Sequence, residues 1–461
     1  MQITMGRIYV FISERIGRGD FLSTKADCII HRNEHSFVLP GEILEATKKG
    51  NLVLFAGAGI STEGKGVFPN NLYEIIADEL NKKELTQSFS ELMEEYCEKP
   101  NGRTKLLKRF MKRLDYVESF SEMKFWTCRF HMELQTVYSI KEIITTNWDN
   151  YFEEVCGCIP FVTSKDFALS NTDRRKVYKI HGSISNLGSI VATKTDYEEC
   201  YEQLHRGLIG STLKMLLSNP EKQIVFIGYS LTDEDFIRIV EYLESELGEF
   251  MPHYYVVTLD KNINRRLDSK KYTPIITDAT YFIKTLKSKL VEEEFMVDDI
   301  IYEFAGSALG HISEIHTSIT EEQVSQYPDL VYSMVYQDGL IHAFQRVVSM
   351  KKTGYYSDIA NIMRSIQGYL QILETKEKLK DYYEQAYVVG YLNGLISLVD
   401  LKFNVLPPLF YTFDNEEIIY TLDEYMEQRK NFIINNREIF ECADKLIKDK
   451  SYIIMHHPPR L

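Results

Sequence analysis

From residue 52 onward the chain alternates apolar runs of strand length with helical stripes. Runs recur at Leu52–Ala56, Glu142–Thr146, Val177–Ile180, Gln223–Ile227 and Tyr254–Leu259. Between them lie segments whose apolar residues fall on one helix face. Leu72–Leu80, with apolar residues at 72, 75, 76, 77 and 80, is one; Arg103–Leu114 and Phe236–Leu247 are others. A short helix over Glu42–Lys49 leads into the first run. Strands that alternate with helices predict an α/β fold: a Rossmann-like parallel sheet with helices on both faces. In such sheets ligands sit beyond the C-terminal ends of the strands. The polar residues that follow each run are therefore where chemistry is expected.

The texture differs on either side. Residues 1–41 carry short β-like runs, Ile8–Ile12, Cys28–His31 and Ser36–Leu39, which predict a small β appendage closed by Pro40-Gly41. After about residue 290, helical stripes dominate. Ile359, Ile362, Met363, Ile366, Tyr369, Leu370 and Leu373 share one helix face, and 376–400 and 424–449 read the same way. Phe403–Asn415, with Pro407-Pro408, is a loop, and His456-His457 before Pro458-Pro459 reads as a tail. Three units follow: the appendage at 1–41, an α/β unit at 42–290 and a mainly helical unit at 291–461. The last is expected to serve oligomerisation, partner binding or regulation.

Size and charge narrow the classes. A chain of 461 residues exceeds what one core usually serves. Its net charge of −14 argues against duplex binding as the main task. Arg174-Arg175-Lys176 is a local basic cluster, most simply a solvated loop. The 7 cysteines are odd in number and scattered, which suits a reducing cytosol rather than a disulfide framework. Cys156-Gly157-Cys158 has no second pair at ribbon spacing, so no metal is expected. The apolar-leaning stretch 386–413 is interrupted by Asn393, Asp400, Lys402, Asn404 and two prolines, and the N-terminus lacks a signal pattern. A cytoplasmic protein is expected.

Four strand ends carry candidate chemistry. The first run ends in Ala56-Gly57-Ala58-Gly59-Ile60-Ser61-Thr62. Its small residues leave backbone amides open to a pyrophosphate, and a helix starting near Ser61 or Thr62 would add positive charge there. Thr62 stands where the dinucleotide pattern wants a third glycine, so a plain tight turn is the competing reading. The second run delivers Asn147 and Asp149, whose i, i+2 spacing places both on one face of an extended segment. The pair suits a carboxamide and a ribose hydroxyl; the alternative is an Asx turn capping a helix from Tyr151. The third run delivers His181 before Gly182, a residue type fitted to general base work near neutral pH. The fourth opens into Gly228-Tyr229-Ser230, another wall for a nucleotide, with Asp233-Glu234-Asp235 as helix-start charge.

These segments, in this order and at these intervals, resemble the sirtuin-like family, and most closely its bacterial branch in anti-phage defence. The resemblance spans residues 45–290 and rests on GAGIS, TTNWD, KIHGS and GYSLTDEDF. It implies an NAD site. In it the Gly57-Ala58-Gly59 turn cradles the pyrophosphate, Asn147 and Asp149 hold the nicotinamide side, His181 is the catalytic base, and Gly228 and Ser230 contact the adenosine half. Departures matter too. Gly66-Val67-Phe68-Pro69-Asn70 lacks the arginine of protein deacetylases, Thr146 replaces their glutamine, and Cys200 stands without a zinc ribbon. The resemblance therefore implies an NAD glycohydrolase, with NAD as substrate and His181 and Asn147 as catalytic residues. It implies a gated effector that depletes NAD in abortive infection, and a homo-oligomer with a HerA-type ATPase or a phage protein as trigger. Membrane and direct nucleic-acid ligands are not expected. A protein deacylase or ADP-ribosyltransferase, and a non-catalytic NAD-binding scaffold, are the alternatives.

Overall fold

A computed structural model describes residues 33–61, 71–82, 84, 86–229, 234–250, 252–261, 271–399, 405–413, 418–448 and 457–459. Seven parallel strands form one sheet in the order β3-β4-β2-β1-β5-β6-β7. They are β1 Leu52–Ala56, β2 Glu142–Thr145, β3 Ile159–Phe161, β4 Lys176–Lys179, β5 Gln223–Ile227, β6 Tyr254–Thr258 and β7 Tyr272–Ile276. The five strands read from the sequence are present within a residue or two of their expected bounds. The other two are β3 and β7, at the two edges. Both contain proline, Pro160 and Pro274, and proline is confined to edges because it cannot donate to a ladder. The same feature hid them: neither reads as an unbroken apolar run.

Side-chain alternation divides the sheet between two cores. Val53, Phe55, Ile144, Tyr178, Ile224 and Phe226 face one side, packed with Tyr197, Leu204, Leu213, Leu217 and Leu243 from the helices Lys194–Arg206, Leu208–Leu217 and Glu234–Leu247. Leu52, Leu54, Ala56, Ile143, Val177 and Val225 face the other, against Ile43, Phe130, Leu134, Phe282 and Leu286 of the helices Gly41–Lys48, Ser121–Leu134 and Ala279–Glu292. A smaller layer enters between β1 and β2. Helices Leu72–Glu79, Phe89–Cys97 and Gly102–Glu118 share a core of Ile76, Leu92, Met93, Leu106 and Phe110 that also includes Ile190 and the half-buried Trp148. Capping boxes at Asn71/Glu74 and Ser88/Glu91 start two of these helices. This layer lies against the loops that follow β2 and β4.

Of the expected N-terminal β runs, two lie outside the described residues. The third, Ser36–Leu39, is not a strand; Phe37 packs on Phe282 and Tyr281, and the carbonyl of His35 accepts from the Thr277 hydroxyl at 2.8 Å. The helical region has its own core, from Ile301 to Ala443. Helix Leu330–Ser349 runs through its middle, and most of its residues are buried. It meets helix Tyr382–Val399 almost backbone to backbone: a Cβ on Gly390 would stand 2.0 Å from the Tyr336 carbonyl oxygen, and one on Gly339 2.2 Å from that of Tyr387. The stripe read as 376–400 is divided, one helix ending at Lys378 and the next starting at Tyr382, with Lys380 left-handed at φ 52° between them. His457 is not a free tail. Its amide donates to Asp338 Oδ2 at 2.6 Å, and its ring stacks on Tyr387 at 3.8 Å.

Candidate active site

β4, β2, β1 and β5 are neighbours in a parallel sheet, so the residues after them lie along the same end of it. The β1 and β5 turns are pressed together. A Cβ on Gly57 would lie 2.7 Å from the Tyr229 ring, one on Gly59 2.7 Å from the Gly228 carbonyl oxygen, and one on Gly228 2.6 Å from Ile60. Gly228 is also left-handed, at φ 76°. The amides of Gly57 and Gly59 donate to the carbonyls of Ile227 and Gly228 at 2.9 and 2.8 Å. Two of the turn's amides are thus committed to β5, which leaves that of Ala58 for a ligand among the described residues. The expectation of a wholly open amide cradle is corrected to this extent: these glycines join two strand ends. The turn continues as a single 3₁₀ turn, Ala58–Ile60, rather than a helix; Thr62 and Ser230 lie outside the described residues.

Tyr229 fills the space behind the turn. Its hydroxyl donates to the Ala56 carbonyl at 3.1 Å and lies 3.2 Å from the Thr146 hydroxyl. Thr145 turns the chain out of β2: its hydroxyl donates to the Ala56 carbonyl at 2.8 Å and accepts the Asn147 amide at 3.0 Å. Asn147 Nδ2 then donates to the Gly57 carbonyl at 3.3 Å and to Ser61 Oγ at 3.4 Å. Ser61 Oγ donates to Asp149 Oδ2 at 3.2 Å. Asn147 and Asp149 therefore converge on Ser61, as their i, i+2 spacing predicts. Asn147 Oδ1 is buried and has no hydrogen-bond partner among the described residues. An unmet buried acceptor costs about 1–3 kcal/mol, and a ligand N–H or O–H would relieve it.

Asp149 serves two ends. Oδ1 accepts the Tyr151 amide at 3.2 Å, so the Asx-turn reading holds as well, for the helix Tyr151–Cys156. Burial, the largest cause, pushes its carboxyl up from 3.8 to about 6 against the pull of Lys179. The folded state then keeps a proton that the unfolded chain has released. Stability contributed here falls as pH rises from about 4 to about 6 and is level above. Asp149→Asn is expected to remove this trend. The melting temperature of the variant relative to the parent rises across that window, by the equivalent of about 2–3 kcal/mol; a constant difference would contradict the assignment.

β4 delivers His181, which is buried with its ring edge-on to Tyr197 at 5.0 Å. Gly182 follows at φ 85°, where a Cβ would strike the Ser189 carbonyl. The loops after β4 and β2 are stitched together: the Ile184 amide donates to the Trp148 carbonyl at 2.8 Å, and Ser183 Oγ to Asn150 Oδ1 at 3.1 Å. Sequence reasoning missed the residue beneath them. Lys179 is buried, and its ammonium donates to the carbonyl of Asp149, to that of Trp148 at 3.4 Å, and to Glu153 Oε1 at 2.9 Å. The available signal was a lysine inside an otherwise buried strand. Lys179→Met is expected to lower stability by about 3 kcal/mol, because Glu153 loses its partner and the loop its anchor. Urea unfolding monitored by circular dichroism measures it.

Arg175 is not part of a solvated loop. Its guanidinium is buried and donates to the carbonyls of Ile140, Val137 and Cys156 at 2.8, 2.7 and 3.3 Å. Cys200 is a core residue whose thiol lies 3.2 Å from the Ile180 carbonyl. Among the described residues no group of three or more His, Cys, Asp or Glu is placed to hold a metal, and no helix is long and apolar enough to cross a membrane.

A family model described as a SIR2-like domain matches residues 141–283, the stretch that supplies Asn147, Asp149, His181 and the β5 turn. Residues 141–283 are thus similar to a SIR2-like domain. It is 29% identical over 233 residues to the NAD(+) hydrolase ThsA of Enterococcus faecium, covering 48% of this chain and 46% of that protein. A second NAD(+) hydrolase ThsA, from Cytobacillus dafuensis, is 28% identical over 234 residues, 50% of this chain and 45% of its own. Defense-associated sirtuin 2 of Bacillus subtilis is 21% identical over 294 residues, 62% of this chain and 27% of that one. The chain thus spans less than half the length of these relatives.

Proposed function

We propose that the SIR2-like domain hydrolyses NAD to nicotinamide and ADP-ribose. The observation that carries this reading is the buried, unmet Asn147 Oδ1 beside Ser61 and Asp149, where the residues after β1 and β2 meet. The likeness to two proteins named NAD(+) hydrolase supports it. The nicotinamide–ribose bond is already weakened by the pyridinium charge, and its cleavage passes through an oxocarbenium-like ribose. Asn147 would hold the substrate through Oδ1, its amide fixed in place by the two bonds that Nδ2 gives to Gly57 and Ser61. Asp149, ionised above about pH 6, would place negative charge near the developing cation. Water adds to the anomeric carbon as the bond to nitrogen breaks, and His181 takes the proton that water loses. Nicotinamide leaves neutral.

Such an activity in the cytoplasm would exhaust the cell's NAD, so it belongs under control, as a defence effector that acts when infection is sensed. The helical region would supply the control through self-association or through a partner such as an ATPase of the HerA type or a phage protein. The experiment is direct. The protein is incubated with NAD, alone and with candidate partners, and the products are identified. Equal amounts of free nicotinamide and ADP-ribose are expected. An ADP-ribosylated or deacylated acceptor, or intact NAD under every condition, would overturn the proposal.

A further inference from the structure

The helix Gly102–Glu118 looks two ways. Leu106, Phe110 and Val117 are buried. On the outer face Lys105, Lys108, Arg109 and Lys112 recur at i, i+3, i+4 and i+7, all exposed. Tyr116 continues the same stripe towards Phe120, the two rings 5.1 Å apart and the residues 53% and 49% exposed. At 5.4 Å per turn the stripe is about 15–20 Å long. With Lys99 these cations line a cavity of about 350 Å³ whose other walls are Glu79 and Tyr96. Glu79 is already engaged, accepting from the Tyr96 hydroxyl at 2.7 Å and pairing with Arg109 at 2.6 Å. Lys105, Lys108 and Lys112 have no ion pair among the described residues. Five cations thus face one carboxylate in a chain of net charge −14. Screening over about 8 Å at physiological salt keeps the remote acidic surface from cancelling this field.

The inner side of the same helix touches the strand-end loops. Phe110 stacks on Trp148, between Asn147 and Asp149, at 4.3 Å. Arg103 donates to Asp196 and to the Ile190 carbonyl, each at 2.6 Å, and the next residue, Val191, donates its amide to the His181 carbonyl at 3.0 Å. A cation row with an exposed aromatic pair at its end matches the two demands of a single strand, backbone charge and a stacking face for a base. A lone nucleotide would cover only part of this length, and a duplex would need a broader basic face.

We propose that the outer face of helix Gly102–Glu118 binds a short single-stranded nucleic acid, and that its occupancy is transmitted to the site through Phe110–Trp148 and Arg103. The binding stands by itself; its effect on turnover rests on the NAD hydrolase reading. The test titrates the full chain with a fluorescent oligothymidylate of about 12 nucleotides. Affinity is expected to fall with salt at a log–log slope of about −2 to −3, for three to four neutralised phosphates. K105E/K108E/K112E is expected to lose about tenfold or more in affinity, with K105Q/K108Q/K112Q losing in the same direction and both retaining the parent melting temperature. Y116A is expected to lose about fivefold. Binding without salt dependence, binding unchanged in both triple variants, or displacement by ATP or tripolyphosphate at equal concentration would overturn the proposal, the last by assigning the site to a free polyphosphate. In a Trp126→Phe background Trp148 is the sole tryptophan of a chain that has 2. Its emission is expected to shift on saturation with the oligonucleotide and to stay fixed in the triple variants. An unshifted emission would refute the coupling whether or not NAD is hydrolysed.

Discussion

Replacing His181 with alanine is expected to cut nicotinamide release by about 10²–10⁴-fold, the range for loss of a positioned general base. The side chain is buried at the end of β4, one residue before a glycine whose backbone any other residue would strain. Its backbone is held independently of its ring, through the Val191 amide on its carbonyl and the Ile180 amide on that of Thr145 at 3.0 Å. The strand end should therefore survive truncation of the imidazole. His181→Gln, close in shape, supplies the control for packing: it should fold like the parent and remain inactive. Nicotinamide is measured by chromatography, with circular dichroism on the same samples. Parent-like turnover in either variant would remove His181 from the chemistry and leave Asp149 as the base to be tested.

Gly228→Ala should damage the fold and the site together. A non-glycine residue in the left-handed region costs about 1–2 kcal/mol. The added carbon would also stand 2.6 Å from Ile60 and 2.9 Å from the Gly57 carbonyl oxygen. Relief requires the β1 and β5 turns to part. That would move the Gly57 carbonyl and Ser61, the two groups to which Asn147 Nδ2 donates. The expected outcome is a loss of about 3 kcal/mol in stability together with most of the NAD turnover. Gly306 and Gly310, exposed in helix Ile300–Ser318, give the contrast. Nothing lies within 4 Å of a Cβ at either, so alanine there should stabilise by about 0.5–1 kcal/mol. Calorimetry on the three variants separates crowding from a general intolerance of alanine.

These cases show what the sequence could and could not carry. The central strands were legible because burial on both faces demands unbroken apolar runs. The strand-end residues were legible because a parallel sheet gathers its ligands at one edge. Asn147 and Asp149 meeting at Ser61 follows from the alternation of an extended chain. What stayed hidden depends on partners distant in sequence. Gly57 and Gly59 looked like open backbone until Gly228 and Tyr229 closed over them. Arg175 looks solvated and Lys179 passes unremarked within its strand in a linear reading, yet both are buried clamps on backbone carbonyls. His457 looks like a tail until Asp338 accepts its amide. The basic stripe on Gly102–Glu118 was diluted by the acidic average of the whole chain.

The burial of helix Leu330–Ser349 has a kinetic consequence. Its polar members are satisfied inside the core, Gln337 by the Leu409 carbonyl at 2.8 Å and Asp338 by the His457 amide. No local fraying can bring its central amides to water while the surrounding helices stand. In deuterium oxide, peptides from this helix should therefore be the last of the helical region to gain mass, at a rate set by unfolding of that whole region. They form an internal clock against which faster labelling anywhere else in the chain can be timed.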